Sequence, residues 1–156
     1  MKIERLGQAE YEGILHDLAD YWGDDRTREL HHPMFVHEFR DTAFMIQMGG
    51  LTAAYLLGFV ARDSRYGYVH LAAVRGSHRQ RGMARALYEH FFEYCRARDV
   101  RLVKAITSPR NRFSILFHKR MGFRLFGETI EHGVPVIKNY SGRGADRVVM
   151  YRRLSD

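Results

Sequence analysis

The 156-residue sequence is poor in cysteine, proline, tryptophan and lysine, with one, three, one and four of each. A single thiol, Cys95, cannot close an internal disulfide, so the chain is expected in a reducing compartment, the cytoplasm. No stretch reaches the ~18 apolar residues of a membrane-spanning helix. The opening MKIERLGQAEYEGILHDL also lacks the apolar core of a secretory signal, so no membrane partner is expected. Internal repeats, low-complexity tracts and long linkers are missing too, and the length suits one domain over residues 1–156.

What the chain does have is positive charge. All but four of its 25 basic residues are arginine, the formal net charge is +7 and the pI is about 9.8. Such a surface favours anionic partners, and the guanidinium fork suits phosphate. A biased composition with a solvated basic surface explains the charge equally well. No helix-turn-helix, zinc finger or aromatic RNA-binding signature accompanies it, so nucleic acid is not expected as a partner. Hydrophobic residues at 46% and charged residues at 28% describe an ordinary globular chain.

Periodicity divides the sequence into elements. Lys2–Leu6 alternates weakly, as a first strand would. Tyr11, Ile14, Leu15, Leu18 and Tyr21 recur at helical spacing across Ala9–Tyr21. A short helix is expected near Asp25–Leu30, with a break at Pro33. Thr42–Gln47 and Leu51–Arg62 read as a hairpin closed by Gly49 and Gly50, and a second turn at Ser64–Gly67 leads to a strand at Tyr68–Val74. From Gly82 to Arg98 the period becomes helical, with Ala84, Leu87, Phe91 and Cys95 on one face. Arg101–Thr107 is strand-like, Asn111–Arg120 helical and Phe123–Glu128 strand-like. A loop containing Gly133, Pro135, Gly142 and Gly144 precedes a last strand at Arg147–Leu154. An antiparallel meander followed by β-helix-β-helix-β makes an α/β (α+β) sandwich, helices on a central sheet.

Chemistry concentrates in Tyr68–Arg98. A strand ends at Val74, an arginine- and glycine-rich loop follows, and a helix starts near Gly82. The first turn of a helix leaves backbone N–H groups unpaired and carries partial positive charge. Gly82 and the small Ala84 let a bulky anion approach that backbone. A plain strand–loop–helix with a glycine for its turn is the other reading of the same residues.

Arg79-Gln80-Arg81-Gly82-Met83-Ala84 resembles the pyrophosphate loop Arg/Gln-x-x-Gly-x-Gly/Ala of the GNAT (Gcn5-related N-acetyltransferase) superfamily. At the usual distance, Asn111, Ser114 and Met121-Gly122-Phe123 resemble that superfamily's second motif, Asn-x-x-(Ala/Ser)-x-x-x-Tyr-x-x-x-Gly-Phe. The core of the resemblance covers about residues 68–126. It implies a mixed central sheet of about six to seven strands flanked by helices, with two splayed strands holding acetyl-coenzyme A (acetyl-CoA) as co-substrate. It also implies roles: Ala73 and Val74 amides on the pantetheine arm, the backbone of Arg81, Gly82, Met83 and Ala84 with Arg85 around the pyrophosphate, Arg79 opening the motif, and Asn111 and Ser114 along the lower cofactor.

Position 118 departs from the motif, which has tyrosine there as acid to the leaving thiolate. His118 is the candidate acid in its place. Asn111, Ser114 and His118 share one face of their helix, while Phe113, Leu116 and Phe117 are expected to pack on the sheet. The strand before the loop lacks the glutamate base common in the superfamily. Alternation puts Tyr68, His70 and Ala72 on one face and Val69, Leu71 and Ala73 on the other. His70, with a reference pKa of about 6.5, is the first candidate base.

Glu38 and Asp41 are weaker candidates. His31, His32, His37 and Glu38 lack any usual ligand spacing, so no metal is expected. Cys95 reads as a structural thiol. The Asn139–Gly144 loop is either a lid bringing Tyr140 to the acceptor or a turn. The sequence therefore predicts direct acetyl transfer from acetyl-CoA to an unidentified amine, with a strand amide near Ala72–Val74 stabilising the oxyanion. The alternative is a non-catalytic acyl-CoA sensor of the same fold. Polyamines are disfavoured unless Glu38, Asp41 or Asp146 lines the pocket, and a homodimer could pair through the last strand.

Overall fold

Seven strands form one mixed sheet in the computed structural model, which describes residues 1–63 and 65–155. Their order is β1-β2-β3-β4-β5-β9-β6, from β1 (Glu4–Arg5), β2 (Ala43–Met48), β3 (Leu51–Ala61), β4 (Tyr66–Val74), β5 (Leu102–Thr107), β6 (Arg124–Phe126) and β9 (Val148–Arg153). A separate two-stranded ribbon joins β7 (Thr129–Glu131) to β8 (Val134–Val136), where the sequence suggested only loop. Ser64, at the head of the expected second turn, lies outside the described residues.

β3 has little polar–apolar alternation because both its faces are covered. On one side α4 (Met83–Arg96) presses Leu87, Phe91, Phe92 and Cys95 onto the sheet. On the other, α1 (Gln8–His16), α2 (Leu18–Trp22) and α3 (Met34–His37) bring Tyr11, Ile14, Leu18, Tyr21 and Phe35. The single helix expected over Ala9–Tyr21 is two, broken at Asp17, whose backbone leaves the helical region. The expected helix near Asp25–Leu30 shrinks to one 3₁₀ turn, Arg28–Leu30.

Two further expectations are overturned. β9 is not an exposed edge: it is paired with β5 on one side and β6 on the other, and Val148 and Val149 are buried, so it offers no free edge for a dimer. On α5 (Arg112–Arg120), Phe113 is 90% exposed and Leu116 half-exposed, whereas Ile115 and His118 are buried. Phe117, as expected, packs against the core with Ile115, while Asn111, Ser114 and His118 line a cleft.

A bulge in β4 matters most for function. Leu57 pairs with Leu71, but the next β3 residue, Gly58, pairs with Val69, leaving His70 as the extra residue. A Cβ on Gly58 would lie 2.6 Å from the Tyr68 carbonyl oxygen, so glycine is required where the strands draw together. The extra residue shifts the alternation. Val69 packs on the α4 side, yet Leu71 and Ala73 pack on the α1 side, and Ala72 and Val74 on the α4 side. The strict alternation read from the sequence fails at this point.

Candidate active site

β4 and β5 run parallel but pair at only two positions, Gly67 with Val103 and Tyr68 with Lys104. Beyond these the strands diverge, and an open cavity of about 770 Å³ lies along them. Tyr68, Val69, His70, Leu71 and Ala72 line one side, Ala105, Ile106, Thr107 and Ser108 the other. Unpaired strand backbone at the walls of a cavity is available to a ligand. The Arg75 amide donates to Ala53 on β3, so alternation turns the Val74 and Ala72 amides to the open side and Ala73's to β3. The Ala73 amide, expected on the pantetheine arm, is thus turned to β3, and the amides on the open side are those of Ala72 and Val74.

The strand leads into a 3₁₀ turn (Gly76–His78) and then α4. Gln80 and Gly82 have φ of 62° and 78°, left-handed conformations that wrap the loop around the helix start. Gly82 caps α4 with no side-chain hydrogen bond, which leaves the first-turn N–H groups without a protein side chain to serve. Nothing approaches a Cβ on Gly82 more closely than the Met1 methyl, 3.8 Å away, so the helix start is open. Arg81 and Arg85 flank it, Arg85 4.0 Å from Glu89. Arg79 turns aside: its Nη2 donates to Tyr21 O (2.9 Å) and its Nε to Val74 O (3.4 Å). Arg75 is withdrawn altogether, buried against Asp17, Asp20 and the Tyr21 hydroxyl.

α5 closes the same side. Asn111 caps it, its Oδ1 accepting from the Ser114 amide at 3.1 Å, and Asn111, Ser114 and His118 all line the cavity. Both nitrogens of His118 are occupied. Nδ1 lies 2.7 Å from the Ser114 carbonyl, which can only accept, so this nitrogen carries the proton. Nε2 is then the acceptor for the Tyr88 hydroxyl at 2.8 Å. Burial lowers the His118 pKa to about 4, so the ring is neutral near pH 7. A neutral ring whose proton is held by a carbonyl has none to give a thiolate. Tyr88 on α4, only 3% exposed, also lines the cavity, and burial raises the pKa of its hydroxyl.

The opposite wall is assembled from distant segments: Trp22, Arg26, Thr27, Leu30, His70, Ser141 and Arg147. The His70 ring stacks on Phe35 at 4.3 Å, and its Nε2–H donates to Leu30 O at 2.7 Å. Nδ1 therefore carries the lone pair, and burial lowers the pKa and keeps the ring neutral. Tyr140 is pinned by the Lys104 ammonium, whose charge also faces the rings of Tyr66 and Tyr151. Asn139 and Asp146 close the loop between them.

The sequence model of the acetyltransferase (GNAT) family matches residues 10–123. This chain belongs to the GNAT acetyltransferase family. Its members are acetyl-CoA-dependent acyltransferases, and so is this enzyme. No curated protein matches the sequence. Among solved structures, the enzyme is similar in fold to the ribosomal-protein-S18-alanine N-acetyltransferase of Escherichia coli, at 19% identity and TM-score 0.69 over 99% of this chain and 94% of that one. It is similar to Ard1 of Thermoplasma volcanium at 20% identity and TM-score 0.74, covering 99% and 98%. Naa20 of Chaetomium thermophilum, solved with a bisubstrate analogue, aligns at 18% identity and TM-score 0.74 over 99% and 87%.

The remaining candidates of this GNAT enzyme fall outside the cavity. His31 is buried, held between Thr27 O and the Tyr55 hydroxyl, and among the described residues no group of three or more His, Cys, Asp or Glu side chains converges. Glu38 is exposed, and Asp41 pairs with Arg5 at 3.0 Å. Cys95 is fully buried and its thiol is pushed up to about 12, which makes it unreactive. Among the described residues no helix is long and apolar enough to cross a membrane.

Proposed function

We propose that this enzyme moves the acetyl group of acetyl-CoA directly to a primary amine, with the cofactor between β4 and β5 and the acceptor entering beside His70. The observation that carries this reading is the divergence of β4 from β5 after two residue pairs, opening a cavity on a strand that leads directly into the uncapped start of α4. Residues 81–84 and Arg85 would hold the pyrophosphate, Ala72 and Val74 the pantetheine arm, Asn111 and Ser114 the lower cofactor. When bound, acetyl-CoA supplies an activated carbonyl whose C–S bond breaks as the C–N bond forms.

His70 Nδ1 takes the proton that the amine loses, directly or through one water. The Tyr88 hydroxyl replaces His118 as the donor to the departing sulfur by swinging its one proton away from His118 Nε2, which accepts it in this structure. The Ala72 N–H, turned to the open side, stabilises charge on the carbonyl oxygen. No covalent intermediate is needed: the Ser114 hydroxyl lies 3.2 Å from His118 Nδ1, but that nitrogen carries the proton it donates to the Ser114 carbonyl and cannot serve as a base.

Calorimetric titration of acetyl-CoA into the wild type and a Gly82→Glu variant tests the placement. The added side chain meets a φ of 78° and sets a carboxylate where phosphate should sit. Micromolar binding by the wild type, weakened at least ~100-fold in the variant, is the expected outcome. Equal binding by both folded proteins would move the cofactor elsewhere and sink the proposal.

A further inference from the structure

We propose that the acceptor amine also carries a carboxylate, and that Arg147 recognises it; the inference rests on the transferase reading above. Among the described residues no aspartate or glutamate lines the cavity. Glu38 and Asp41 are not among its walls, and Asp146 faces Lys138 at 3.1 Å and the Asn139 amide at 2.8 Å. Two arginines do line it, and they differ. Arg26 is already paired with Asp24 at 2.8 Å. Arg147 donates through Nη1 to the backbone oxygen of Asp146, and no carboxylate pairs with it among the described residues.

A second unmet group sits in the same cavity. Thr27 lines the wall, and its Oγ1 is buried without a hydrogen-bond partner among the described residues. The guanidinium is a donor only, while the hydroxyl can donate or accept. An anion serves the guanidinium, and a second ammonium is repelled by it. Electrostatic complementarity thus selects against diamines, which meet Arg147 with no acid to offset them. The carboxylate can be that of a free amino acid or the side chain of an acidic first residue on a peptide, and the chemistry that Arg147 offers is the same for both.

The experiment measures coenzyme A release with matched acceptors at fixed acetyl-CoA. One arm pairs glycine and 4-aminobutyrate with their carboxamides; a second pairs Asp-initiated with Asn-initiated peptide amides; cadaverine serves as the dication. The carboxylate member of at least one arm should show a kcat/KM tenfold or more above its partner. Arg147→Gln should erase that preference by raising KM, and Arg147→Lys should keep part of it. Acetyl-CoA affinity should stay unchanged in both variants, which shows that they fold and keep the cofactor site. Amides turned over as well as acids, a preference that survives Arg147→Gln, or no turnover of any carboxylate amine by protein that binds acetyl-CoA would each overturn the proposal. All three outcomes leave the transferase reading standing. Failure of the wild type to bind acetyl-CoA strikes the underlying reading instead.

Discussion

The two walls of the cleft are made of different material. The side proposed for the cofactor combines Ala72 and Val74, the loop into α4, and Asn111, Ser114 and His118, and most of what it offers is backbone: strand amides, the first turn of α4, a glycine at φ 78°. The acceptor wall offers side chains, drawn from Trp22 to Leu30, from the β4 bulge, and from Ser141 and Arg147 near the other end of the chain. Backbone donors are fixed by the fold and tolerate most substitutions around them. A wall of side chains changes its selectivity with one residue, so the same scaffold can hold one cofactor while its acceptor varies.

The sharpest way to break that comparison is through its two histidines, one on each wall. His118, on the cofactor wall, is sealed and should affect stability. Above about pH 6.5 neither the folded nor the unfolded chain carries its extra proton. Between about 6.5 and 4 the unfolded chain binds that proton first, so stability falls with pH, by roughly 3 kcal/mol over the interval from this residue alone. Urea unfolding from pH 7 to 4 should show this slope, flattened in His118→Gln. His31 and His70 are shifted the same way and leave a residual slope. An unflattened slope would show that His118 is not held neutral by burial.

The second test asks whether the cofactor wall contributes any chemistry by side chain. Tyr88→Phe removes the hydroxyl beside His118 without changing shape. We expect kcat to fall roughly 10- to 100-fold, at the low end of acid–base contributions, with acetyl-CoA affinity unchanged. His118 also loses its Nε2 donor, which should cost about 1–3 kcal/mol of stability. An unchanged kcat would mean that the thiolate leaves unassisted and that Tyr88 is core alone.

The contrast between the walls also explains what could be read from sequence. The places of Gly82, Ala84, Asn111 and Ser114 at two helix starts are legible because they are local, each set within a few residues. The acceptor wall was not legible, since nothing in the spacing of Thr27 and Arg147 says that they share a cavity. The β4 faces were misread because a period of two assumes no inserted residue; the available signal was Gly58, isolated in the apolar run of a different strand. Tyr88 was missed for another reason: an aromatic at helical spacing reads as core, and this one is core on one side and cavity wall on the other. α5 was misread in part: Phe117 packs against the core as expected, but Phe113 and Leu116 face outward, and the cleft takes Asn111, Ser114 and His118.

The smallest expected effect is the one that best separates backbone from side chain. Arg79 opens the loop motif and by charge alone would be the strongest phosphate ligand. Its guanidinium instead donates to the Tyr21 carbonyl at 2.9 Å and to Val74 O at 3.4 Å, bracing the loop against the end of α2. Arg79→Ala should therefore loosen the loop without removing a ligand, weakening acetyl-CoA by about fivefold, the worth of one net hydrogen bond of about 1 kcal/mol. The variant should leave kcat unchanged, because the proposed placement sets the reacting end of the cofactor toward His70, away from the loop. Calorimetry at two salt concentrations checks the point. If Arg79 braces rather than binds, the ratio of wild-type to variant affinity stays constant as salt rises. If it contacts phosphate, the ratio shrinks with salt as the charge is screened, and the cofactor wall owes more to its side chains than its backbone suggests.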